Sequence, residues 1–145
     1  METPYAQLRV YLVENSAILL NLLMEMLQHM TGVSIVGHSA SATTAISEIS
    51  ALVPDVVIVD IALQSGNGFD VLKTLAPGGK RPVRIVLTNY ASPPYRDVAK
   101  RLGVDYFFDK SSEIHQMFKL VSSMAMTAGR RYATDRADLG IVMPL

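Results

Sequence analysis

The sequence alternates short apolar runs with amphipathic stretches five times along its 145 residues. Each apolar run has the length and the β-branched or aromatic content that is typical of a strand. Each run is followed by a segment whose apolar residues recur at helical spacing. The order strand–helix, repeated five times, predicts an α/β protein with a parallel sheet that helices cover on both faces. The runs are "LRVYLV", "VSIVGHS", "VVIVD", "VRIVLT" and "DYFFD".

The predicted helices begin and end at ordinary signals. Ser111 is expected to begin the fifth helix and arginines to end it, and prolines open the fourth. The predicted helices cover residues 16–30, 42–52, 69–76, 93–103 and 111–131, and a turn cluster covers 77–82. The last fourteen residues, "YATDRADLGIVMPL", contain no predicted element. We therefore expect one domain over residues 1–131 and a C-terminal tail over 132–145 that is flexible or docks on a folded surface.

Composition narrows the possible functions. Lysine plus arginine and aspartate plus glutamate number 13 each, so the charge gives no basis for binding nucleic acid or an anionic membrane. The absence of cysteine excludes disulfides and thiolate metal sites. No signal-peptide core is present, and no apolar stretch reaches the roughly 20 residues of a membrane span. We expect a cytoplasmic protein that contacts neither nucleic acid nor membrane directly.

Polar side chains follow four of the predicted strands at their carboxyl ends. Glu14 and Asn15 follow the first strand, Asp60 ends the third, Thr88 ends the fourth and Lys110 follows the fifth. Ligands of open parallel sheets bind beyond the carboxyl ends of the strands, where the strand order reverses. The sequence therefore predicts one site at this edge of the sheet.

The residue types in this predicted site favour phosphoryl transfer. Carboxylate and amide oxygens are hard ligands that suit Mg²⁺, which keeps several waters. A carboxylate can attack phosphorus as a nucleophile, while a lysine and a hydroxyl can hold the phosphoryl oxygens. Phosphoryl transfer needs mainly positioning and neutralisation of charge, and this set supplies both.

Four segments carry a resemblance to a known family: "VYLVEN", "PDVVIVDIALQSGNGFDVL", "IVLTNYAS" and "GVDYFFDKSSEI". Over residues 7–128 the chain resembles the receiver (CheY-like) domain of bacterial two-component response regulators. The resemblance implies a flavodoxin-like, doubly wound (βα)5 fold whose five parallel strands lie in the order 2-1-3-4-5. It also implies that Asp60 accepts a phosphoryl group from a sensor histidine kinase or a histidine phosphotransfer protein.

The resemblance implies a role for each residue of the predicted site. Mg²⁺ is expected at Glu14, Asn15, Asp60 and the backbone carbonyl of Ala62. Thr88 and Lys110 are expected to contact the phosphoryl group, and Thr88 and Phe107 to switch conformation. The face made by helix 4, strand 5 and helix 5 would then change its affinity for a downstream protein or for a second copy. Such a domain is not an enzyme with a separate substrate, although it assists its own phosphorylation and dephosphorylation.

Three residues depart from the family pattern. Asn15 replaces a carboxylate, Asn89 replaces a small residue, and Ser111 replaces a proline. Asn15 is expected to weaken the binding of Mg²⁺, and the peptide bond after Lys110 is expected to be trans. Asn15 and Asn89 also support an alternative function, a receiver-like interaction module that is not phosphorylated.

Two enzyme classes on similar sheets fit the sequence less well. A flavin-binding relative needs a phosphate loop rich in serine, threonine or glycine after the first strand, where this chain has "ENSAILL". A phosphatase of the haloacid dehalogenase type needs a second aspartate two residues after the first, where this chain has Ala62. Three well-separated histidines, His29, His38 and His115, have no metal-ligand spacing.

Overall fold

The structure, a computed structural model, describes residues 7–75 and 82–138, with side chains up to residue 128. The strands are β1 Leu8–Val13, β2 Val33–Ser39, β3 Val56–Val59, β4 Val83–Thr88 and β5 Tyr106–Asp109. The helices are α1 Ala17–Gln28, α2 Ala42–Leu52, α3 Gly68–Thr74, α4 Pro93–Arg101 and α5 Ile114–Asp138. Over these residues, no helix combines the length and the apolar character needed to cross a bilayer.

All five strands form one parallel sheet in the order β2-β1-β3-β4-β5, which confirms the predicted fold and strand order. The order reverses between β1 and β3, because the chain leaves β2 at one edge and returns to the other side of β1. The two strands end in register, with Val13 beside Val59. The backbone N–H of Asp60 then donates to the carbonyl of Val13 at 2.9 Å. The carboxyl ends of β1 and β3 therefore open onto the crevice where α/β sheets bind ligands.

The three central strands, β1, β3 and β4, are buried on both faces of the sheet, as their near-continuous apolar sequences predict. Alternate residues of β3 point to opposite sides: Val56 and Ile58 belong to one core cluster, and Val57 and Val59 to the other. The first cluster packs against α1 and α5, and the second against α2 and α3. This double packing fixes the strand ends, and with them the polar side chains that follow.

Helix α5 differs from its predicted bounds at both ends. It begins at Ile114 and ends at Asp138. Ser111 does not cap this helix, because its hydroxyl binds the carboxylate of Asp109 at 2.7 Å. The prediction that no element follows residue 131 is wrong for residues 132–138, which contain neither of the strong helix breakers, glycine and proline. The turn cluster at 77–81 and the tail at 139–145 lie outside the described residues.

Candidate functional site

The side chain of Lys110 brings two carboxylates together at the carboxyl edge of the sheet. Its Nζ lies 2.6 Å from Oδ2 of Asp60 and 2.9 Å from Oε1 of Glu14. All three side chains are nearly buried, with 10% or less of each exposed. They follow β5, β3 and β1, so residues that are far apart in the sequence meet at one point. Three of the residues predicted for the site are thus in direct contact.

The electrostatics of this cluster favour an additional cation. Two carboxylates and one ammonium leave one uncompensated negative charge in a nearly buried place, where charges are screened less than at the surface. Oε2 of Glu14 accepts a hydrogen bond from the backbone of Ser16 at 2.8 Å. Oδ1 of Asp60 is buried and has no hydrogen-bond partner within the described residues. A buried oxygen without a partner is costly, so Oδ1 is a natural ligand for a cation.

The donor set fits a hydrated Mg²⁺ rather than a metal enclosed by protein. Glu14 and Asp60 would each offer a carboxylate oxygen, and the exposed Asn15 lies beside Glu14 at the rim. Ala62 is half-buried in the loop after Asp60, where it forms an isolated bridge with Asn67. Across the residues described, no three acidic or histidine side chains form a cluster that could hold a metal. A cation here would keep several waters, as Mg²⁺ commonly does.

Thr88 lies at the end of β4, next to the strand that carries Lys110. Its side chain is fully buried, and Oγ1 accepts a hydrogen bond from the backbone of Tyr90 at 3.1 Å. Its carbonyl accepts from the backbone N–H of Lys110 at 2.9 Å. The hydroxyl and the ammonium therefore belong to adjoining strand ends, while Asn89 is exposed.

The loop after Asp60 closes tightly against the start of α3. The backbone N–H of Gly68 donates to the carbonyl of Ile61 at 2.8 Å. A Cβ at position 68 would lie only 2.2 Å from the backbone oxygen of Asp60. Asn67 and Asp70 form a reciprocal capping box that holds the helix start in place. The spacing Asn-x-x-Asp at residues 67–70 is the sequence signal that could have indicated this cap.

A polar turn occupies the place where the family has proline after the lysine. Oδ1 of Asp109 accepts hydrogen bonds from the backbone and the hydroxyl of Ser111, at 2.9 and 2.7 Å. These bonds lower the pKa of Asp109 below its ordinary value. Oε1 of Glu113 accepts from the backbone N–H of Asp109 at 2.9 Å. The peptide bond after Lys110 is trans, as expected, and hydrogen bonds on both sides fix the backbone that carries this lysine.

Phe107 lies three residues before Lys110, half-buried against the core cluster on the α2 and α3 side of the sheet. The guanidinium carbon of Arg96 lies 4.6 Å from the centre of its ring. This cation–π contact joins α4 to β5. Nothing in the sequence pattern indicated Arg96, because the contact depends on how α4 packs against the sheet.

Comparisons with known proteins agree with this fold. The family described as the response regulator receiver domain matches residues 10–122, more than half of the chain, and the chain therefore belongs to this family. The strand order 2-1-3-4-5 of the sheet is compatible with that membership.

Two curated relatives come from Bacillus subtilis (strain 168). The chain is 28% identical over 110 residues to the uncharacterized transcriptional regulatory protein YvfU, covering 76% of this chain and 55% of that protein. It is 26% identical over 126 residues to the transcriptional regulatory protein DesR, covering 87% of this chain and 62% of that protein. The chain thus spans only part of the length of these relatives.

Among solved structures, the response regulator domain of Thermotoga maritima CheB superposes with a TM-score of 0.70 at 21% identity. The match covers 86% of this chain and 97% of that one. At this identity the likeness shows the fold alone.

Proposed function

We propose that this receiver domain accepts a phosphoryl group on Asp60 from a phosphorylated histidine of a sensor kinase or of a phosphotransfer protein in the cytoplasm. The observation that carries the proposal is the buried contact of Lys110 Nζ with both Asp60 and Glu14. At this strand edge the carboxylate that we propose as the nucleophile lies beside an ammonium group that also contacts a second carboxylate. Membership of the receiver family supports the same reaction class.

The transfer forms one bond and breaks another. A carboxylate oxygen of Asp60 forms a P–O bond as the P–N bond of the donor breaks, and the electron pair leaves with the imidazole. Lys110 moves from Oδ2 of Asp60 to a phosphoryl oxygen, which keeps its positive charge beside the negative charge that arrives. The hydroxyl of Thr88 donates a hydrogen bond to another phosphoryl oxygen. Bound Mg²⁺, held by Glu14, Asp60, Asn15 and the carbonyl of Ala62, would neutralise further charge on the phosphoryl group.

Phosphorylation of Asp60 would then change the protein surface through movements of Thr88 and Phe107. When Thr88 moves toward the phosphoryl group, the loop after β4 moves in the same direction. Phe107, on the neighbouring strand β5, then repacks beside Thr88. The face formed by α4, β5 and α5 changes its affinity for a downstream protein or for a second copy of the chain. The size of this shift is limited by how differently the phosphoryl group interacts with the two states.

The test is phosphorylation in solution by a small donor. The full chain is incubated with acetyl phosphate, with Mg²⁺ or with EDTA, and its intact mass is recorded. We expect the mass of one phosphoryl group to be added with Mg²⁺ and little or none with EDTA. No gain from acetyl phosphate or from a phosphorylated histidine phosphotransfer protein would instead favour the alternative, an interaction module that is not phosphorylated.

Asn15 gives a separate prediction about the metal. Asn15→Asp adds a carboxylate beside Glu14, and we expect it to tighten Mg²⁺ binding about tenfold through the added charge attraction. The measurement is the rise of the melting temperature with Mg²⁺ concentration, which reports binding to the folded chain without any donor. Asn21→Asp, on the exposed side of α1, is the matched control and should leave the Mg²⁺ dependence unchanged. Equal Mg²⁺ dependence in Asn15→Asp and the parent chain would contradict the assignment of position 15 to the metal.

A further inference from the structure

Arg96 on α4 contacts three separate segments of the chain. Its guanidinium lies over the ring of Phe107 on β5, 4.6 Å from the ring centre. Its Nε donates to the carbonyl of Ala91, in the loop after β4, at 2.7 Å. One of its terminal nitrogens lies 3.6 Å from Oε1 of Glu113, just before α5. One side chain thus joins the β4–α4 loop, β5 and the start of α5.

Each of these three segments is attached directly to the candidate site. Ala91 follows Thr88 by three residues, and the backbone N–H of the intervening Tyr90 donates to Oγ1 of Thr88. Phe107 pairs in register with β4 and precedes Lys110 by three residues. Glu113 accepts from the backbone N–H of Asp109, the neighbour of Lys110. Arg96 has no ion pair or hydrogen bond with Asp60 or Glu14 among the described residues, yet it contacts the loop after β4, strand β5 and the segment before α5.

We propose that Arg96 is a positioning residue, a latch that favours the arrangement in which Lys110 binds Asp60 directly. This inference rests on the proposed function, because it assigns Arg96 a role in the switch that phosphorylation of Asp60 would drive. When Thr88 is drawn toward a phosphoryl group, the loop carrying Ala91 moves with it and pulls Arg96 away from Phe107. The cost of breaking these contacts is subtracted from the free energy that the phosphoryl group supplies.

The relative strength of the contacts indicates which of them matters most. The pair with Glu113 is long, and its two side chains are 44% and 36% exposed, so it contributes little. The guanidinium over Phe107 is the larger contribution, because a cation is attracted to the face of an aromatic ring. The hydrogen bond to Ala91 fixes the direction in which the guanidinium points. Removing the guanidinium should therefore release Phe107 more than removing the charge of Glu113.

The test follows Phe107 by ¹⁹F NMR in the full chain labelled with 4-fluorophenylalanine. The chain has four phenylalanines, so Phe107 is assigned by the resonance that is lost in Phe107→Leu. Spectra are recorded during titration with beryllofluoride, a stable mimic of the phosphoryl group, in the presence of Mg²⁺. In Arg96→Met we expect the unliganded Phe107 resonance to move toward its beryllofluoride-bound position. The half-saturating concentration should fall about two- to fivefold.

Three variants make the result specific to the latch. Arg101→Met makes the same chemical change on an exposed residue of the last turn of α4, and it should behave like the parent chain. Arg96→Lys keeps a cation near the ring and should restore part of the parent behaviour. Glu113→Gln should shift the half-saturating concentration in the same direction as Arg96→Met, by less.

Failure of the latch and failure of the proposed function give different results. If beryllofluoride moves the Phe107 resonance equally in Arg96→Met and Arg101→Met, at the same half-saturating concentration, the latch is overturned and the proposed function stands. If the parent chain shows no change with beryllofluoride and gains no phosphoryl mass, the proposed function is overturned and the latch with it.

Discussion

Replacement of Asp60 by asparagine is expected to abolish phosphorylation by acetyl phosphate and Mg²⁺, so that no phosphoryl mass is detected. The asparagine side chain has the same shape, but its amide is a poor nucleophile and cannot form the acyl phosphate. Lys110 also keeps its contact with Glu14, at 2.9 Å, so the fold at the rim should be retained. The measurement is the intact mass of parent and variant chains after the same incubation.

Asp97→Asn is the matched control for this substitution. Asp97 is exposed on α4, a helix that contains none of the residues predicted for the site. The same aspartate-to-asparagine change at position 97 should leave the phosphoryl gain at the level of the parent chain. A phosphoryl gain that persists in Asp60→Asn would show that another carboxylate is the acceptor.

Replacement of Gly68 by alanine should lower the stability of the fold more than any of the substitutions described above. The new Cβ would lie 2.2 Å from the backbone oxygen of Asp60 and 2.9 Å from the Cα of Ile61. Both neighbours are backbone atoms, so no side chain can turn aside to make room. We expect a loss of about 2–3 kcal/mol in the free energy of unfolding and a fall of about 5–15 °C in melting temperature. Phosphorylation should also slow, because relief of the clash moves the backbone of the acceptor.

Gly32→Ala separates this clash from the general cost of losing a glycine. Gly32 has a φ of 81°, so alanine there is strained, but its Cβ would meet Ala125 at an ordinary 3.6 Å. This control should lose about 1–2 kcal/mol and phosphorylate at the parent rate. If Gly68→Ala had the melting temperature and the phosphorylation rate of the parent chain, the loop after Asp60 would not close as the structure describes.

The sequence was sufficient to predict the sheet and the composition of its rim. Strands that are buried on both faces are largely apolar, so the charge of Asp60 directly after the four apolar residues 56–59 indicates the end of a strand. Parallel strands also end at one edge, which is why polar residues at five positions could be assigned to one region. Both inferences use only local pattern and the geometry of a parallel sheet.

Other features depend on tertiary packing and have no local pattern. The contact of Arg96 with Phe107 arises because α4 packs beside β5, and neither residue is unusual in its own segment. Where the family has a proline, this chain has a turn that is held by hydrogen bonds from Ser111 to Asp109, and no local sequence pattern predicts these bonds. The extension of α5 to Asp138 was missed because its residues lack an apolar pattern, although they contain no helix breaker.

The central claim, that Asp60 is the phosphoryl acceptor, is tested most directly by locating the modified residue. Borohydride reduces an acyl phosphate to the alcohol and so converts a phosphorylated aspartate to homoserine, which peptide mass spectrometry can place in the sequence. The chain is treated with acetyl phosphate and Mg²⁺, reduced, digested and sequenced. We predict homoserine at position 60 and at no other aspartate. Homoserine elsewhere, or none at position 60 in a chain that has gained a phosphoryl group, would contradict the claim.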